Sequence, residues 1–95
     1  MSMKDAYVQK LKAQMDEWSA EIDKLKAKAD SAQADAKIEY LEQIDSIRKE
    51  QLEATEKLNE LQNAGETAWQ DLKAGVENAW DSLESAMKKA ASRFQ

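Results

Sequence analysis

The sequence predicts an all-α protein: a long-helix coiled coil or helical hairpin that self-associates into a bundle. Apolar residues recur at spacings of three and four along most of the chain, which places them on one face of a helix. There is no proline and there are only two glycines, so long helices can run without interruption. The charged fraction of 35% and the abundance of Ala, Glu, Lys and Leu are typical of helical bundles. A length of 95 residues indicates a single domain over 1–95.

The clearest apolar pattern lies in the first thirty residues. It follows the a and d positions of three heptads, and Trp18 within it is large enough to favour antiparallel or multi-helix packing over a tight two-stranded dimer. Ser2 or Asp5 precedes the first member and is a candidate helix cap. This first part of the predicted interaction face consists of Val8, Leu11, Met15, Trp18, Ile22 and Leu25.

The alanine-rich stretch 27–37 decides between two architectures. Alanine is the best helix former, and the stretch contains neither glycine nor proline, so we expect one long helix over about 4–63. The alternative is a tight turn at Asp30 and Ser31, whose side chains can both cap a helix. A turn there would give a monomeric three-helix bundle.

The apolar pattern continues from Tyr40 to Leu61. We call this pattern the seam, and just after it lies the best candidate for a break between two helices. Gln51 is a polar member of that seam, where it is able to fix the register between helices. Asn63 and Gly65 are residues that helices prefer at their C-terminal ends, and Thr67 with Gln70 fits the capping-box pattern. We therefore expect a break near 63–67 and a second helix over about 67–94.

The last helix carries a wide apolar face with two of the three tryptophans. Trp69 and Trp80 are eleven residues apart, which is three helical turns, so they point the same way. Filling a helical core is the role that we expect for them. This second part of the predicted interaction face consists of Trp69, Leu72, Val76, Trp80, Leu83 and Phe94.

The lengths of the two expected helices imply self-association. A helix over 4–63 would be roughly 90 Å long, and the shorter second helix could cover only residues near 36–63. The apolar stripe from Val8 to Leu25 would then be bare in a monomer, and a second copy would have to bury it. Another protein that docks a helix on the same face is a further possible partner.

A membrane surface is the alternative partner for the last helix. Its apolar face, followed by Lys88, Lys89 and Arg93, resembles a peripheral amphipathic helix that lies on lipid. The segment 67–95 carries four basic and four acidic residues, and this balance favours a helix partner over an anionic surface.

The residue types present exclude most chemistry, so we expect a non-enzymatic protein without catalytic, cofactor-binding or metal-binding residues. There is no cysteine and no histidine, which removes thiolate ligands, the commonest general base and the commonest transition-metal ligand. The many glutamates lack the Glu-x-x-His pattern of di-iron bundles, and no stretch fits a calcium-binding EF-hand loop. The glutamates are therefore interpreted as a solvated helix face.

Charge and hydropathy restrict the partners further. The net charge is −5, and residues 31–66 carry nine acidic against four basic residues, which disfavours nucleic acid as a partner. No apolar run reaches the roughly 18 residues needed to cross a bilayer, and the first residues do not resemble a secretory signal. A cytoplasmic location is therefore expected.

Both ends of the chain resemble small bacterial coiled-coil proteins, usually uncharacterised and loosely called stress-associated. The resemblance rests on DAYVQKLKAQMDEWSAEIDKLKAKAD near the start and AGETAWQDLKAGVENAWDSLESAMKKAASRF near the end. Its most specific part is a double-tryptophan module, with AW at 68–69, LKAG at 72–75 and AW at 79–80. The resemblance implies an elongated, soluble, helical protein with a role in stress response or at the cell envelope, and it supplies no mechanism and no catalytic residues.

Overall fold

The computed structural model describes residues 2–93 and shows three helices, each antiparallel to the next in sequence, with no strand in that part of the chain. The helices are α1 (Met3–Asp30), α2 (Ala34–Asn63) and α3 (Ala68–Arg93). Together they form a rod with extents of 51 × 20 × 18 Å. The prediction of an all-α helical bundle is confirmed.

The connection between α1 and α2 corrects the sequence-based boundaries, because one continuous helix over 4–63 does not form. The chain leaves the helix after Asp30 and re-enters one at Ala34. The Ser31 hydroxyl donates to the Ala27 carbonyl at 3.2 Å, and Gln33 is extended, with φ −67° and ψ 158°. The turn at Asp30 and Ser31, considered as the alternative, is the one that the chain adopts.

Tertiary burial explains why a turn forms without a glycine or a proline. Continuing the helix would gain only a few tenths of a kcal/mol per residue in helix propensity. Folding back lets α2 and α3 cover the α1 stripe, including Ile22, which is 2% exposed. Burial of one such side chain contributes about 1.5–3 kcal/mol, so several of them outweigh the local preference. The argument that the stripe would be bare in a monomer therefore no longer holds.

The break between α2 and α3 falls where Asn63, Gly65 and Thr67 indicate it. Helix α2 ends at Asn63 and α3 begins at Ala68. The Trp69 amide donates to the Gly65 carbonyl at 3.2 Å, which closes the connection through the backbone. At the start of α1, the Ser2 hydroxyl accepts from the Asp5 amide at 3.1 Å, so the predicted Ser2 cap is confirmed.

A single apolar core runs along the axis of the bundle, and no buried polar or charged residue belongs to it in the described chain. Each helix contributes most of the residues of its three-four pattern, as the sequence predicts. The core consists of Val8, Leu11, Ile22, Leu25, Ala29, Ile44, Ile47, Ala54, Leu58, Leu61, Trp69, Val76, Trp80, Leu83, Met87 and Ala90.

Polar contacts tie both ends of the bundle. At one end, the Lys4 ammonium donates to the carbonyls of Gln62 at 3.1 Å and Ala64 at 2.9 Å. At the other end, the Arg93 guanidinium lies 3.7 Å from the Glu39 carboxylate. These contacts set α1 and α3 parallel to each other and α2 antiparallel to both. No helix within the described residues is long and apolar enough to cross a bilayer.

Candidate functional site

The predicted interaction face lies mostly inside the bundle. Eight of its twelve residues belong to the core, so this chain covers by itself the surface that was expected to meet a second copy. Met15 and Trp18 are half-buried beside the core, and Leu72 is 36% exposed. Phe94 lies outside the described residues.

Two aromatic pairs join α1 to α3 with the same spacing on both helices. The ring centroids of Tyr7 and Trp69 are 5.8 Å apart, and those of Trp18 and Trp80 are 6.0 Å apart. Both pairs have an interplanar angle of 38°, a tilted arrangement that is favourable for aromatic rings. On each of the two parallel helices, the aromatic residue of one pair is eleven residues from that of the other pair.

Tyr7 belongs to a cluster at the end of this seam. The Lys73 ammonium lies 5.1 Å from the centroid of the Tyr7 ring and 4.0 Å from the Glu77 carboxylate. Burial raises the pKa of Tyr7 above its ordinary value of 10.0, and the negative charge of Glu77 adds to the increase. Tyr7 was missed at the sequence level, although its distance from Trp18 equals the eleven residues that separate Trp69 from Trp80.

Past the Trp18–Trp80 pair, the seam between α1 and α3 opens into a groove. Helix α3 packs mainly against α2, and it touches α1 least. The resulting α1/α3 groove has a volume of about 620 Å³. Its lining consists of Gln14, Glu17, Trp18, Ala20, Glu21 and Lys24 from α1, and Glu84, Met87, Lys88 and Ala91 from α3.

The groove combines an apolar floor with a charged rim. The half-buried Trp18 and Met87, which is 7% exposed, line the groove together with three carboxylates and two ammonium groups. Lys88 is paired with Glu84 on its own helix at 3.0 Å, as its spacing predicts. Wide, shallow surfaces of this type suit a packed helix better than an enclosed small molecule.

The outer side of α1 carries a second regular pattern next to the groove. Every seventh residue is an exposed alanine, and a charged residue stands between successive alanines. None of these charged residues forms an ion pair within residues 2–93. We call this surface the outer α1 stripe, and it consists of Ala6, Lys10, Ala13, Glu17, Ala20, Lys24 and Ala27.

Gln51 links α1 to α2 on the remaining seam. Its side-chain amide donates to the Ser19 hydroxyl at 2.7 Å and lies 3.4 Å from the Met15 sulfur. The bond forms at only one relative position of α1 and α2 along their axes. This supports the interpretation of Gln51 as a residue that fixes the register between helices.

Over residues 2–93, no group of three carboxylates converges in a way that could hold a metal ion. The α1/α3 groove and the outer α1 stripe together are the candidate functional site.

The chain was compared with protein-family models, with curated proteins and with solved structures, and none of them matches. The resemblance to small bacterial coiled-coil proteins and the double-tryptophan module therefore stay predictions.

Proposed function

We propose that this chain is a non-enzymatic interaction protein that acts by helix packing and that its partner is a second copy of itself. The observation that carries the proposal is the α1/α3 groove, where the half-buried Trp18 and the exposed Ala20 and Ala91 leave apolar surface between two helices. Met87 also lines the groove but is only 7% exposed. Burying such surface is the main favourable contribution to association.

The contact surface in this proposal differs from the one that the sequence indicates. The stripe from Val8 to Leu25 is used within the chain, so self-association has to use the outside of the bundle. The groove offers an elongated site between two parallel helices, and a helix from another copy fits that shape. A role in stress response and a cytoplasmic location are proposals that rest on the sequence resemblance and on hydropathy.

Solution mass tests the proposal. Light scattering and sedimentation over the micromolar to millimolar range are expected to show a concentration-dependent dimer. The variant Ala20→Arg/Ala91→Arg fills the groove from both walls without changing a core residue and is expected to be monomeric over the same range. Ala74→Arg, at an exposed position on the outside of α3, is the matched control and should associate like the original chain.

Two results would contradict the proposal. A mass of 10.8 kDa at every concentration would exclude self-association, and equal association of the groove variant and its control would exclude the groove as the contact surface.

The lipid-binding alternative needs a change in the fold. Trp69 and Trp80 are 6% and 5% exposed, so the apolar face of α3 reaches a membrane only if α1 swings away from it. Helix α1 is the element that α3 touches least, and the turn at 31–33 is where such a movement would hinge. The closed bundle favours the helix-packing proposal.

A further inference from the structure

The charges of the outer α1 stripe alternate in sign with a period of one heptad. Lys10, Glu17 and Lys24 follow each other at seven-residue steps, and all three are exposed. Residues seven apart lie almost on the same side of a helix. A helix that packs along this stripe therefore meets a positive, a negative and a positive charge in order.

This order decides how two identical stripes can pair. Two copies aligned parallel and in register would place each of the three charges against the same charge of the other copy, which is unfavourable. An antiparallel alignment centred on Glu17 would place Glu17 against itself and Lys10 against Lys24. Opposite charges meet when the antiparallel alignment has its twofold axis midway between two successive charges. The axis then lies either between Lys10 and Glu17 or between Glu17 and Lys24.

We infer that α1 of a second copy packs antiparallel on the outer α1 stripe, with the twofold axis beside Ala20 and with Glu17 of each copy paired with Lys24 of the other. This inference rests on the proposed function and specifies its geometry. The pairing is isologous, as a closed dimer requires. Ala13, Ala20 and Ala27 let the two helix backbones approach closely, because their side chains are small.

The position of the groove selects this alignment from the two that pair opposite charges. The other one has its axis between Lys10 and Glu17. Each alignment leaves one lysine of the stripe without an opposite charge, Lys10 in the first and Lys24 in the second, so the charges alone do not decide between them. An axis beside Ala20 lies at the wall of the α1/α3 groove, which extends from Gln14 to Lys24 along α1. The second copy then covers the groove mouth as well as the stripe, over an overlap of residues 11–30.

Charge reversal gives a test that only this pairing passes. Glu17→Lys places two lysines together at each contact, and Lys24→Glu places two glutamates together. Each variant alone is expected to self-associate about tenfold more weakly or worse, since both symmetric contacts change from attraction to repulsion. An equimolar mixture of the two variants is expected to form a one-to-one heterodimer, because every contact again joins opposite charges. The double variant Glu17→Lys/Lys24→Glu should associate like the original chain.

The matched control uses the outer face of α2. Lys49 and Glu56 are also exposed and seven residues apart, so Lys49→Glu and Glu56→Lys make the same changes in net charge away from the stripe. Both controls should associate like the original chain. Circular dichroism of every variant checks that the helices are retained.

A covalent test uses the absence of cysteine from the sequence. Ala20→Cys is expected to form a disulfide-linked dimer on mild oxidation, and Ala74→Cys is expected to stay uncrosslinked. The alignment would be overturned if dimers of the Ala20→Cys variant did not crosslink. It would also be overturned if Glu17→Lys weakened self-association and Lys24→Glu did not. If such dimers are still abolished by Ala20→Arg/Ala91→Arg, self-association through the groove stands and only the alignment fails.

Discussion

Replacement of Lys4 by methionine tests whether a side chain of α1 caps the end of α2. The last turn of α2 contains no basic residue, and the Lys4 ammonium bonds to two carbonyls there, at 3.1 and 2.9 Å. A cation near a helix C-terminus contributes about 0.3–1 kcal/mol at an exposed site. The two hydrogen bonds add a similar amount, since water can replace them only in part.

We therefore expect Lys4→Met to lower the free energy of unfolding by about 1 kcal/mol. For a domain of this size, that corresponds to a decrease in Tm of about 4–8 °C. Thermal unfolding followed by circular dichroism measures it, and the difference should shrink as salt screens the charge. Methionine keeps the unbranched stem, so the change isolates the ammonium group.

Two controls make the result decisive. Lys12→Met makes the same chemical change at an exposed position in the middle of α1 and should leave Tm almost unchanged, whereas Lys4→Arg should retain most of the stability. Equal Tm values for Lys4→Met and Lys12→Met would refute the capping role of Lys4.

Three further predictions concern single residues of the bundle. Gly75→Ala should raise the free energy of unfolding by about 1 kcal/mol, because an added Cβ meets no atom within 4 Å; a loss of stability in urea unfolding would show that α3 needs a glycine there. In a Tyr40→Phe variant, phenolate absorbance should show Tyr7 titrating above 10.0. Since its folded pKa is raised, the stability that Tyr7 contributes is complete below pH 10 and is lost as pH rises through the folded pKa; a midpoint at or below 10 would contradict the burial. Emission from Trp69 and Trp80 should already be blue-shifted in buffer and unchanged by anionic vesicles, and a further blue shift would favour the lipid-binding alternative.

The sequence predicts the helices and their buried faces well because these depend on local periodicity. Val8, Ile22 and Leu83 are core residues by spacing alone, and the structure buries all three. The ion pairs Glu53–Lys57 and Glu84–Lys88 likewise form at the expected spacing. Local patterns of this kind need no knowledge of the rest of the chain.

The turn at 31–33 is not predictable in the same way, because its stabilisation is tertiary. Ser31 and Gln33 adopt ordinary backbone angles, with φ of −89° and −67°, so no residue with a special conformation marks the turn. What favours it is the burial of side chains far from the turn in sequence, such as Val8 and Leu61.

The candidate site was partly visible in the sequence. Trp69 and Trp80 were correctly expected in a core, whereas Trp18 is only half-buried. The groove arises because α3 packs mainly against α2 and little against α1, which no spacing encodes. The outer α1 stripe repeats every seven residues in the sequence. Its members are only alanines and charged residues, so a search for large apolar residues at helical spacing does not find it.

The arrangement of the helix ends has a mechanical consequence. Ser2 lies at the end of the rod where α2 finishes, and Arg93 lies at the opposite end, beside Glu39, along a long axis of 51 Å. Tension applied between these two ends would slide α1 lengthwise against α3 instead of peeling the helices apart one turn at a time. The packing of α2 against α1 and α3 would then bear the load together with the Tyr7–Trp69 and Trp18–Trp80 contacts, so the bundle would resist stretching along its whole length.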